Sequence, residues 1–350
     1  METLADLAKE MSRGRTPEQI VGEIASKTPE MGGSPNVHHM DLLIHNLLGQ
    51  KIIMDGRPIL AGGKPVMSGE KKGVAFDVSP EAKAYSRWQN REYLEIERDF
   101  AKQWRAQVKG MTFESSKSYA QKLGIDISKC KNIHDAFSVA SSVAESNSKP
   151  YDLIGFVLTS LSVPRELHQR IVKRYQLSGF PSLTSYAPYV AHVVKVEVFF
   201  HICVSRGFIS SERPSNKIDI AYLHYLPFCK LFISGDKLHK SVAPLFMRKD
   251  QLFVWGPELK ADLSALNKHY MDLPQETKDK GVISFASKPP KDGDFLTAKL
   301  WDLMGTEWRK PKEVELPLPK ESNDKLLEHM KSFKEVPVAN PDYTEFDIDN

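Results

Sequence analysis

The order of apolar and polar positions divides the chain before any composition is counted. Pro188 to Arg206 is apolar almost all round, the pattern of a helix buried on every side. His192, Lys195, Glu197 and His201 interrupt it, and its apolar run is shorter than the roughly 20 residues a bilayer span needs. From Ser79-Pro80 to about Lys109, Tyr85, Trp88, Glu92, Ile96, Phe100 and Trp104 recur at helical spacing, which predicts one long helix with one buried face. Thr16, Pro17 and Gln19 spell a capping-box helix start with proline at the first helical position.

Glycine and proline punctuate the rest. Residues 50–78 carry Gly56, Pro58, Gly62, Gly63, Pro65, Gly69 and Gly73 between short β-like runs, a hairpin-type insertion. Val37 to Met40 reads as a short strand before the apolar run Leu42–Leu48. Asp219 to Phe228 reads as a short helix, Lys230 to Ser234 as a strand, Leu238 to Phe246 as partly helical, and Gln251 to Val254 as another strand. The expected organisation is an N-terminal helical arm over 1–36 and an α/β domain over 37–255. That domain holds the hairpin insertion at about 50–78 and a helical region at 79–206. A helical extension over 256–310 and a Pro-rich, acidic-ended tail over 311–350 follow. Phe333, Tyr343 and Phe346 are anchors by which part of the tail is expected to pack on folded protein.

Composition adds bounds. The 350 residues are 41% apolar and 27% charged, enough for a packed core. Lys plus Arg is 48 against 45 Asp plus Glu, so the net charge of +3 excludes a polybasic coat protein but allows a local basic patch. The three cysteines, Cys130, Cys203 and Cys229, form no C-x-x-C pair, which argues against a disulfide framework and a structural zinc site. With no apolar N-terminal stretch, the reading expects a cytoplasmic protein with no membrane partner. No phosphate loop, dinucleotide fingerprint, H-E-x-x-H or G-x-S-x-G is present.

The segment Asn216–Lys237 holds the most chemistry: an aspartate opening a helix (Asp219), an apolar strand, then Ser234 and Asp236 at its carboxyl end. In open α/β sheets ligands sit beyond the carboxyl ends of strands. Two carboxylates brought together there repel unless a divalent cation neutralises them, and all-oxygen ligands suit magnesium or manganese. The competing reading makes Asp219 a helix-dipole acid and Asp236 a turn residue.

This segment resembles the C-terminal signature of PIN-like nuclease domains, with the similarity concentrated in 188–255. The resemblance implies a small parallel sheet flanked by helices, three or four carboxylates holding Mg2+ or Mn2+, and cleavage of nucleic acid, RNA ahead of DNA. Many members of that family are toxins or act in RNA processing and defence. Asp41 is the match to the acid after the first strand, although Leu42 and Leu43 depart from the family pattern. Asp41 as a helix N-cap competes with that role, and His38, His39 and His45 beside it raise a zinc alternative. Glu197 is the favoured remaining acid over Glu92 and Glu97. A carboxylate on so apolar a helix needs a partner, which His201 one turn later can supply. The metal set is then Asp41, Glu197, Asp219 and Asp236, with Ser234 orienting. Arg213, Lys217, Lys237 and Lys240 are placed on phosphates, beside Arg248 and Lys249, with an inhibitor protein or a second copy as further partners. Two other readings stand beside the nuclease: a non-catalytic PIN-like scaffold that binds nucleic acid or protein, and an unrelated helical binding protein.

Overall fold

The structure is a computed structural model that describes residues 2–9, 11, 14–27, 38–59, 63–68, 71–77, 80–113, 125–291, 293–310 and 343–347. It is mostly helical, with one small two-stranded parallel sheet. In chain order the elements are α1 (Glu2–Ala5), α2 (Pro17–Ser26), α3 (His39–Leu47), β1 (Gly63–Ser68), β2 (Lys71–Asp77), α4 (Pro80–Gln89) and α5 (Glu95–Gly110). Then come α6 (Ile133–Glu145), α7 (Pro150–Ser160), α8 (Arg165–Leu177), α9 (Leu183–Tyr186), α10 (Pro188–Ser205) and α11 (Ser215–Ala221), the last running into a 3-10 turn at Tyr222–Phe228. The remainder is β3 (Leu231–Ser234), α12 (Lys237–Phe246), β4 (Leu252–Trp255), α13 (Gly256–Met271), α14 (Gln275–Lys278), α15 (Val282–Ala286), α16 (Leu296–Met304) and β5 (Tyr343–Asp347). The chain divides into two compact units. One comprises Met1–Lys230, Ser241–Leu252 and Pro341–Asn350, the other Leu231–Lys240 and Phe253–Asn340.

In the first unit α10 is the central helix, and thirteen of its residues from Tyr189 to Val204 are buried. Contrary to the expectation from its polar interruptions, the 18-residue helix is long and apolar enough to cross a bilayer by length and composition, but here most of it is buried inside protein. Ala136, Ala140 and Ala144 of α6 are fully buried at every fourth position, a stripe of small side chains that lets α6 lie close against α10. Asn46 of α3 ties the other side. Its amide oxygen accepts the Tyr189 and Val190 N–H groups at 3.0 and 3.3 Å, satisfying orphan donors at the start of α10. The amide nitrogen donates to the Gln50 carbonyl at 3.0 Å.

The N-terminal arm forms a small core of its own, where Leu4, Leu7, Val21 and Ala25 pack with Trp88 and Ala101. The Thr16 capping box is present as the sequence spells it. The expected single helix over 79–109 is broken instead. Arg91 adopts a left-handed φ of 62°, Arg91 N–H bonds the Trp88 carbonyl, and Glu92 N–H bonds the Arg87 carbonyl, a Schellman closure of α4. The restart shifts the helical phase, so Trp88 is buried while Ile96 is 73% exposed. Glu97 then bonds the Leu94 N–H and Arg87, which makes it a capping residue.

The hairpin insertion appears as β1 and β2, antiparallel, and β5 adds a third antiparallel strand along β2 from Gly73–Asp347 to Asp77–Tyr343. The C-terminal segment thus packs on its own chain there. Phe333 and the rest of 311–342 lie outside the described residues, as does Val37 of the expected strand before Asp41. His39 and Met40 of that strand are helical: His38 is extended and its ring accepts the Met40 N–H at 3.2 Å, which starts α3 at His39.

The second unit is built on the parallel β3–β4 pair, with α12 connecting the two strands. Ile233 is 48% exposed, so this sheet is not covered on every side. Asp262 of α13 accepts the Leu296 and Thr297 N–H groups at 2.6 and 2.8 Å, capping α16.

Candidate functional site

Burying Glu197 in the middle of α10 costs several kcal/mol unless the charge is compensated. Compensation comes from two neighbouring elements. Lys217 of α11 forms an ion pair with Glu197 Oε2, and its Nζ also sits 4.9 Å above the Phe200 ring. His224, on the 3-10 turn, brings Nε2 to 3.2 Å from Glu197 Oε1 as a close polar contact without hydrogen-bond alignment. Burial pushes the Glu197 carboxyl up, but Lys217 and His224 outweigh it and hold the group well below the usual carboxylate range.

A ladder of rings leads from this pair to the start of α3. His39 stands 5.1 Å from His224 and 5.8 Å from His38, centroid to centroid, and Tyr225 meets its edge at 6.4 Å. Burial, reinforced by the two neighbouring imidazoles, pushes His39 down to about 4. Lys217 and His224 hold the two Glu197 oxygens, and His201, the partner expected from the sequence, lies within the field of the same carboxylate. Its own ring is pushed down to about 4 by burial and by the Lys217 charge.

The other predicted residues fall as follows. Asp41 is exposed in the first turn of α3, and the N-cap is His38, so the N-cap role considered for Asp41 belongs to its neighbour. α11 starts at Ser215 and continues into the 3-10 turn, so Asp219 lies inside the helical run and not at its opening, and the helix-dipole role is removed. Arg213 is exposed just before α11, and Lys217 points inward to Glu197. Glu92 is exposed at the α4–α5 break and Glu97 is the α5 capping residue.

Four of the predicted residues belong to the second unit. Asp236 accepts the Leu238 N–H at 2.6 Å, capping α12 as the turn reading has it. Ser234 Oγ accepts the Asp236 N–H at 3.1 Å and lies 2.8 Å from His239 Nδ1, so it orients the turn. Lys240 Nζ is 4.7 Å from the Trp255 ring, and Lys237 enters the first turn of α12. The proposed quartet therefore draws on both units.

As arranged, the Glu197 centre does not fit a resident Mg2+ or Mn2+. Both of its oxygens already face a cationic or imidazole partner. Among the described residues no three His, Cys, Asp or Glu side chains gather as a cation-ligand set. The sulfur groups add no nucleophile, since burial pushes the Cys203 and Cys229 thiols up.

One surface feature escaped the sequence reading. Arg98, Lys102, Arg105 and Lys109 of α5 follow each other at i, i+4, i+7 and i+11, a stripe about 16 Å long at 1.5 Å per residue. Its C-terminal half borders a groove of about 780 Å³ with Trp104 in its wall. The spacing is the signal, and it lies behind the stronger apolar periodicity of the same stretch.

Comparison with protein-family models, with curated proteins and with solved structures finds no match.

Proposed function

We propose that the protein is a nucleic-acid-binding scaffold that holds RNA, ahead of DNA, without cutting it. The observation that carries this reading is the state of Glu197, whose charge is consumed inside the protein by Lys217 and His224. Carboxylate-bound metal catalysis needs carboxylate oxygens that are open to the ion. Exposed cations, Arg213 with Arg105 and Lys109 of α5, supply the sequence-independent attraction for phosphates. The PIN-like resemblance of 188–255 supports nucleic acid as the partner class.

A second reading is metal-dependent cleavage through Asp41, Glu197, Asp219 and Asp236. The position of Asp219 supports it: four residues past the Ser215 start of α11 and followed by helical backbone to Phe228, it is not the helix-opening acid that the dipole reading requires. Incubation of the full chain with mixed-sequence RNA and single-stranded DNA in magnesium or manganese separates the two. Retarded but intact nucleic acid is expected. Shortened product that disappears in Asp219→Asn and Asp236→Asn would replace the scaffold reading with the nuclease.

A further inference from the structure

We propose that single-stranded nucleic acid lies in the groove beside α5, with phosphates on Arg105 and Lys109 and a base against Trp104. This inference rests on the nucleic-acid-binding reading and adds the place and the mode of contact. The groove lies within the first unit, between the N-terminal arm, α5 and the start of α11, and Ala5 and Ile218 supply apolar wall. Its volume of about 780 Å³ is in the range of small-ligand clefts.

The charges on its walls are unequal in what they can offer. Asp6 is neutralised by Lys9 at 2.5 Å, so that acid does not oppose an incoming phosphate. Further along the stripe, Arg98 is engaged with Glu18 at 2.6 Å and Lys102 with Asp99 at 3.2 Å. Arg105 and Lys109 are both exposed and both line the groove. Glu212 is the acid that remains on the wall, and the exposed Arg213 adjoins it. The balance favours an anion at the α5 end.

Trp104 decides which anion. It is half-buried, adjacent in sequence to Arg105 and lines the same groove. An aromatic wall beside two cations matches an unpaired base followed by its phosphates, because every base has a face that stacks and a duplex hides those faces. An acidic peptide satisfies the cations and leaves the indole unused.

Fluorescence anisotropy with a labelled mixed-sequence single-stranded RNA tests this on the full chain. Arg105→Ala/Lys109→Ala is expected to lower the slope of log K against log salt by about 1.4, two contacts at about 0.7 each. Trp104→Leu is expected to weaken binding at least about fivefold, and Trp104→Phe to keep most of it. Arg170→Ala/Lys173→Ala, exposed cations of α8, is the charge-matched control and is expected to leave the slope unchanged. A parent chain that binds neither RNA nor single-stranded DNA overturns the scaffold reading itself. A parent that binds while both groove variants bind equally well overturns the groove alone. Duplex or poly-glutamate binding as tight as RNA, with Trp104→Leu silent, overturns the assigned occupant.

Discussion

Removing the Lys217 ammonium is the sharpest perturbation of the first unit. Lys217→Ala leaves the Glu197 carboxylate in a site where its side chain is 9% exposed, with His224 as the nearest remaining partner. Breaking a buried ion pair from one side costs about 3–5 kcal/mol. Lys217 is itself 25% exposed, which places the expected loss near the lower end, about 3 kcal/mol. Glu197→Gln is milder, about 1–2 kcal/mol, because the lysine stem lets the ammonium reach water. Glu197→Gln/Lys217→Met removes both charges at similar volume and is expected within about 1 kcal/mol of the parent. Urea unfolding of the parent, Glu197→Gln, Lys217→Met and their double variant at neutral pH closes the cycle and gives the coupling, with Lys217→Ala measured alongside. The pair also sets a pH signature. The Glu197 pKa in the folded chain is depressed below its ordinary 4.5, so its contribution is fully present above about pH 4.5 and is lost as pH falls further. The parent-minus-Glu197→Gln difference should therefore be flat from pH 7 to 5 and shrink below. A Lys217→Ala loss under about 1 kcal/mol, or a double variant as damaged as the sum of the singles, would refute the account of this centre.

His39, His192 and His201 are held at about 4 in the fold against an ordinary 6.5, chiefly by burial, so the folded chain binds fewer protons than the unfolded one between those values. Stability should accordingly fall as pH drops from about 6.5 to 4, read as a declining urea midpoint, and a flat profile would show these rings to be solvated. Deleting 341–350 removes β5 and leaves β1–β2 as a bare two-stranded hairpin, which is marginal alone. Amide exchange over Lys71–Asp77 should then quicken sharply while α10 stays protected; unchanged exchange would mean that β5 does not support the hairpin.

The legible parts of the fold were those in which one strong local signal acts alone. The Thr16 capping box, the buried α10 and the strand–helix–strand run from Leu231 to Trp255 each sit where pattern and environment agree. The α4–α5 break was invisible because a Schellman closure usually announces itself by glycine, and here Arg91 takes the left-handed position. Met40 reads as strand in the sequence but is helical, because a single ring, that of His38, decides where α3 starts. Glu197 stands out in the sequence as a carboxylate on an apolar helix that needs a partner. Its partners were not readable, since Lys217 and His224 come from elements twenty and more residues away while His201 offered a local solution. The start of α11 at Ser215 puts Asp219 inside the helical run and not at its head, and four residues of boundary shift change the meaning of that acid. The α5 stripe shows the converse: its spacing was fully present in the sequence, but a helix read for what it buries is not read for what it shows to water.

The measurement that bears most directly on the central claim is manganese binding, because that claim is the internal neutralisation of Glu197. Electron paramagnetic resonance of Mn2+ titrated with the full-length chain distinguishes free ion from ion held on carboxylates. With Lys217 and His224 on its two oxygens, Glu197 should contribute no site, and Glu197→Gln should leave the free-ion signal where the parent leaves it. One Mn2+ held per chain and released in Glu197→Gln would contradict the account and place a cation where the structure puts the lysine ammonium.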